Sequence, residues 1–226
     1  LSSFEGESVY ANSNGLIAKL KNSNHSLHCS LIAKRGNEMQ TAYEYSVAID
    51  SKDLILPSEI GLEAAKLAQQ KLGSRNLQSQ KCPIIFTSRQ SSGLFSQILG
   101  ALSGSRQYKK TSFLLGSLGK DVLPESINVY EDPLKLKTIG SKAFDLEGVL
   151  KKKQFFVENG RVKSYLMGQY SANQLGFEST ANAGGVSNCC IDANFDGGIT
   201  ELTKNMDRGL IVTDQMGHGI NITTGN

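Results

Sequence analysis

The sequence predicts an α+β protein: a small antiparallel meander with a covering helix, followed by a β-rich part with short helices. Three observations carry this. Turn signals separate short apolar-polar alternations in the first 49 residues, a helical spacing begins at Pro57, and at Lys81–Gly104 an apolar run passes directly into an amphipathic stretch.

Residues 9–11 and 16–20 flank Asn12-Ser13-Asn14-Gly15, whose Asn-Gly pair signals a hairpin. Residues 27–34 and 39–49 flank a second turn at Arg35-Gly36-Asn37, and the Ser/Asn-rich residues between 20 and 27 read as a connection. His25, His28 and Cys29 lie there with no fourth ligand near in sequence, so a structural zinc site is not expected. Pro57 and Ser58 open a helix with Ile60, Ala64, Leu67, Ala68 and Leu72 on one face and Gly73 at its close. The polar, aperiodic residues 74–80 mark a boundary between a domain at 1–79 and another at 80–226.

Ile84, Ile85 and Phe86 read as a strand buried on both faces. The helix that follows has Ser91 or Ser92 as its cap, a stripe of Leu94, Phe95, Ile98, Leu99 and Leu102, and Gly104 as its left-handed end. That helix contains no His, Glu, Asp or Cys. Residues 111–118 and 127–131 read as strands. Residues 155–157 and 162–167 form a hairpin across Glu158-Asn159-Gly160-Arg161, 169–175 a helix stopped by Gly176, 186–191 a strand, and 199–206 a helix. Residues 210–212 and 220–223 supply the last strands.

Charge and composition narrow the function. A net charge of +3 is too small to point to nucleic acid, and the basic clusters at Arg106–Lys110 and Lys151–Lys153 read as solvated faces. Without a long apolar run or a signal peptide, the expectation is a cytoplasmic protein with no membrane partner. The four cysteines, at 29, 82, 189 and 190, form no CxxC pair and read as reduced, small, buried or half-buried side chains. The chain opens on Leu1 and stops after a strand and a turn, and so reads as a piece of something longer.

Several segments could carry chemistry. Asp192-x-Asn194-x-Asp196-Gly197-x-Ile199 copies the start of an EF-hand loop, but Thr203 stands where the bidentate Glu is required, so calcium is not expected. Asp145 and Glu147 could share acid and base work in an extended segment, and a turn explains them as well. Gly217, His218, Gly219 and Asn221 make a tight backbone passage and are the candidates for lining a substrate. A dinucleotide fingerprint is excluded, because the third glycine and the following helix are missing.

SFLLGSLGKDVLP at 112–124, EDP at 131–133, FDLEGV at 144–149, the run at 157–176, STANAGG at 179–185 and GLIVTDQMGHGINITTG at 209–225 stand in a fixed order. Together with SLHCSLIAKRGNEMQ and KCPIIF upstream, they resemble the TldD/PmbA family of metallopeptidases, in its PmbA branch, also called TldE. The resemblance covers nearly all of the chain. It implies that the segment from 80 onward is an incomplete C-terminal metallopeptidase-like domain, and that 1–79 is the end of the family's N-terminal α+β domain.

In the catalytic TldD branch, the helix after the strand matching residues 83–86 carries an HExxxH zinc motif. Registered on this chain, the motif falls on Phe95, Ser96 and onward to Gly100, which read FSQILG. The third TldD ligand is a cysteine beyond Asn226, and neither Cys189 nor Cys190 corresponds to it. The resemblance therefore implies a chain with no catalytic residue or metal ligand of its own. Its zinc would sit in a TldD-like partner, the two forming a heterodimer that acts on unfolded peptides. Two other readings stay open at this point: an autonomous peptidase with an unrecognised site, and a regulatory binding protein, as the family's older name of gyrase modulator suggests.

Overall fold

The computed structural model describes residues 1–195, 197–215 and 219–226, and the chain is α+β. It divides into two compact units: Leu1–Ser79 with Lys135–Ile139, and Gln80–Leu134 with Gly140–Asn226.

In the first unit β1 (Ser2–Ala11), β2 (Ile17–Arg35) and β3 (Glu38–Ala48) form an antiparallel sheet in that order. Asn12 closes the first turn, its Oδ1 accepting from the amides of Asn14 and Leu16, and Gly15 takes the positive φ of 86° that a side chain would resist. The expected connection at 20–27 is instead continuous strand. The first half of β2 pairs with β1 and the second half with β3, the two ladders overlapping at His25 and Ser26. Ladder hydrogen bonds from successive neighbours thus override the weak strand preference of Ser and Asn. His25 and His28, three apart in a strand, point to opposite faces: His25 is buried with Nδ1 2.8 Å from Ser3 Oγ, and His28 is exposed beside the Tyr43 ring.

The helix α1 (Pro57–Gln70) starts with Pro at N1 and buries Ile60, Ala64 and Ala68, a four-residue spacing that keeps one stripe against β2 and β3. Ala42 and Ser46 are buried on that face of β3, whereas Met39, Tyr43 and Tyr45, of opposite parity, are exposed. Gly73, at φ 79°, donates its amide to Glu38 Oε1.

In the second unit β4 (Ile84–Phe86) runs into α2 (Ser88–Ala101), followed by α3 (Gly104–Lys109) and β5 (Ile127–Glu131). Then come β6 (Gln154–Glu158), β7 (Arg161–Val162), α4 (Gln169–Leu175), β8 (Cys189–Ala193), α5 (Ile199–Lys204) and β9 (Leu210–Val212). The strands β7-β6-β5-β8 form an antiparallel sheet, and β4 pairs in parallel with β9. Leu99 and Leu102 of the helical layer pack with Val129, Phe156, Val157 and Val162 of the sheet to make the core. The β6–β7 turn places Asn159 and Gly160 at φ 49° and 75°, the pattern of a two-residue hairpin loop.

Six local expectations are corrected. Ile84 is exposed, so β4 is not buried on both faces. The cap of α2 is Thr87, and Ser91 and Ser92 donate back to main-chain carbonyls within the first turns. Gly104 starts α3 rather than ending α2. It is required by close approach, since a Cβ there would meet Met167 Cγ at 2.6 Å. Residues 111–118 and 220–223 are turns, because Ser112 and Asn221 bond to nearby main chain and draw it out of any ladder. The second arm of the 155–167 hairpin shortens to Arg161–Val162, after which Leu166 exchanges hydrogen bonds with Leu102 and Gly104.

The four cysteines are unpaired, and Cys189 is exposed rather than buried. No helix among the described residues is long and apolar enough to cross a membrane.

Candidate functional site

Within the second unit lies a cleft of about 500 Å³. On one side α2 contributes Ser96, Leu99 and Gly100, continued by Ser103 and Ser105 where α3 begins. Leu166, Gly168 and Ser171 line it at the start of α4, and residues 182–186 line the opposite side. The volume falls within the roughly 300–1,000 Å³ typical of ligand pockets. Among the described residues the lining contains no charged and no aromatic side chain.

The loop that forms that second side is held by a buried polar cluster. Lys151 and Glu131 have side chains 1% and 0% exposed, with Nζ 3.3 Å from Oε2. Lys151 Nζ also donates to the carbonyls of Ala181 (2.5 Å) and Gly185 (3.4 Å). Glu131 accepts from the Ser187 amide (2.9 Å), from Asn182 Nδ2 (3.0 Å) and from Gln154 Nε2. Thr180 Oγ1 reaches Asn182 Oδ1 at 2.8 Å. A buried charge pair is tolerated only when its remaining donors and acceptors are satisfied, and here the satisfying groups belong to the loop itself. Gly184 and Gly185, at φ 87° and 97°, turn the loop back.

A second carboxylate pins the same loop. Asp145 is buried and accepts from the amides of Glu147 (2.9 Å), Val149 (3.0 Å) and Ala183 (3.0 Å). Glu147 Oε2 accepts from the Gln169 amide at 2.6 Å. Both side chains are committed to main-chain amides, so the turn reading accounts for them and the acid-base pairing does not. Lys151 likewise corrects the reading of 151–153 as a solvated basic face: it is buried, while Lys152 and Lys153 are exposed.

Of the three positions registered on the zinc motif, Phe95 packs against the core, and Ser96 and Gly100 face the cleft. Gly219 sits beside Gln97, a Cβ there lying 3.4 Å from Nε2, and Asn221 closes a turn through its main chain and Oδ1. Neither Gly219 nor Asn221 lines the cleft. Gly217 and His218 lie outside the described residues, as does Asp196 of the EF-hand-like segment. Asp192 of that segment belongs to β8, where it accepts from the Tyr130 phenol; that bond, with burial, pushes the phenol up to about 12.

Among the described residues no three His, Cys, Asp or Glu side chains converge where they could hold a metal ion. Zinc takes thiolate, imidazole and carboxylate ligands. The serine hydroxyls, carboxamide and main chain that the described residues bring to this cleft do not fit it.

Sequence reasoning missed Asn182, Lys151, Glu131 and Gln154. The signals available were the paired glycines at 184 and 185 and a single lysine beginning a basic run after an apolar one, which composition alone reads as surface.

Residues 79–226 match the family model for the PmbA/TldA metallopeptidase C-terminal domain, and residues 1–72 match that for its central domain. The metalloprotease PmbA homolog of Haemophilus influenzae is 38% identical over 224 residues, covering 99% of this chain and 50% of that protein. The metalloprotease PmbA of Escherichia coli O157:H7 is 35% identical over 221 residues, covering 98% and 49%. The chain thus spans about half the length of the curated relatives it matches. Among solved structures, TldE from Thermococcus kodakarensis superposes with a TM-score of 0.80 at 26% identity, covering 94% of this chain and 50% of that one. A Bacteroides thetaiotaomicron protein named as a candidate DNA gyrase modulator superposes with a TM-score of 0.91 at 27% identity, covering 99% and 50%.

Proposed function

The chain belongs to the PmbA/TldA metallopeptidase family, and from that premise we propose that it is part of the metal-free subunit of a two-subunit zinc protease acting on unfolded peptides in the cytoplasm. The subunit positions substrate, and a TldD-like partner holds the zinc. One observation carries the reading: the face of α2 that lines the cleft presents Ser96, Leu99 and Gly100, and among the described residues no cleft-lining side chain is of a zinc-binding type. Hydrolysis by a zinc peptidase needs a metal held by fixed ligands to activate water, and among its described residues this chain brings walls rather than ligands to the cleft. The glycine-rich loop and small side chains leave main chain accessible, as strand-like recognition of an extended peptide requires. The kinship with TldE supports the pairing.

The test is to purify the full-length protein with and without a TldD-like subunit, measuring bound zinc and cleavage of an unfolded peptide. Zinc and cleavage that follow the partner, with cleavage needing both subunits, uphold the proposal. Zinc held by this protein alone, or cleavage by it alone, overturns it.

A further inference from the structure

Resting on that reading, we infer that the cleft beside α2 is a preformed subsite for a stretch of substrate whose side chains are short and uncharged. Its exclusion of charged and bulky residues is then the specificity this subunit adds.

Four observations bear on the occupant. The cleft has about 500 Å³, enough for several small residues and too little for a row of long ones. Among the described residues no lining side chain is charged, so an ionised Lys or Glu brought into it would leave water without a counter-charge, which is strongly unfavourable. Gly184 and Val186 line the cleft, and their amides donate to no described residue, which leaves main-chain donors for the main chain of a peptide. The loop carrying them is fixed before substrate arrives by the buried Lys151–Glu131 pair and by Asp145. Little ordering entropy is then lost on binding. The walls are largely main chain at Gly100, Gly184 and Gly185, so the close approach that a short side chain allows is what a long one would prevent.

The test uses the full-length protein without its partner and fluorescently labelled unfolded peptides that differ only in their central residues: Gly-Ala-Ser, or the same with Lys, Glu or Phe substituted. Binding is read by polarisation. The Gly-Ala-Ser peptide is expected to bind about tenfold or more tighter than the Lys and Glu peptides, and tighter than the Phe peptide. Ser96→Glu places a carboxylate in the cleft from an exposed helix position, and is expected to turn the preference toward the Lys peptide. Ser105→Glu, from the start of α3, should do the same and serves if the first variant does not fold.

Absence of binding by any peptide, equal affinity for all of them, or a preference unmoved by both variants overturns the subsite. Zinc content and cleavage by the two-subunit mixture are measured on the same preparations. A pair that cleaves with zinc only in the partner, yet shows no such preference, would sink the subsite and leave the division of labour standing.

Discussion

Lys151→Met in the full-length protein isolates what holds the cleft loop. The ammonium lies 3.3 Å from Glu131 Oε2 with both side chains out of water. At an effective dielectric of about 20, that separation corresponds to about 5 kcal/mol of attraction, most of which offsets the cost of desolvating the two charges. Methionine keeps the length and packing of the stem but leaves the Glu131 carboxylate without its counter-charge and the Ala181 and Gly185 carbonyls without their donor. Breaking one side of such a pair costs roughly 3–5 kcal/mol. The three remaining hydrogen bonds to Glu131, from Ser187, Asn182 and Gln154, favour the lower end of that range. Glu131→Gln added to Lys151→Met removes the orphaned charge and should recover more than about 1 kcal/mol, a coupling that a double-mutant cycle reads directly. Urea unfolding gives the stability, and native-state hydrogen exchange at the amides of 182–187 shows whether the loss is local to the loop. A cost below about 1 kcal/mol for Lys151→Met, or additive single and double variants, would refute the claim that this pair holds the loop.

Three further outcomes follow from the same structure. Gly160→Ala combines a φ of 75° with a Cβ placed 2.2 Å from the Leu123 carbonyl oxygen, so thermal unfolding should show a loss beyond the roughly 1–3 kcal/mol of backbone strain alone. Phe156→Ala empties the centre of the second unit's core and should cost about 3–5 kcal/mol in denaturant unfolding. Although Cys189 is an exposed residue, burial of its thiol, then Cys190 and Glu131 beside it, push it up to about 11 from an ordinary 9.0. The thiol form favoured by the fold is therefore retained through pH 9 and is lost only as pH rises through about 11. Iodoacetamide mapping by mass spectrometry at pH 8 should find it slower than a free cysteine, with the difference closing near pH 11.

What the sequence made legible was what depends on short-range signals. Asn12–Gly15 and Asn159-Gly160 turn the chain where their main-chain preferences demand, Pro57 starts α1, and Gly176, at φ 72°, ends α4. That the stretch at Phe95, Ser96 and onward to Gly100 carries no zinc-ligand side chain is visible in the sequence itself, because a ligand is a residue type. Pairing was not legible. Residues 20–27 look like a loop until β1 and β3 are known to flank them, and residues 111–118 look like a strand until Ser112 donates to the Ala101 carbonyl. The cleft was the least visible part. Its walls come from residues about eighty positions apart, and the charges that fix it, Lys151 and Glu131, resemble surface charges until burial brings them together.

The most direct measurement of the central claim is zinc stoichiometry and unfolded-peptide cleavage for the full-length protein alone, a TldD-like subunit alone, and both combined. No stoichiometric zinc and no turnover are expected in this protein by itself, with turnover appearing when the partner and its zinc are supplied and disappearing on chelation. One zinc per chain in this protein alone, with cleavage abolished by chelator, would contradict it.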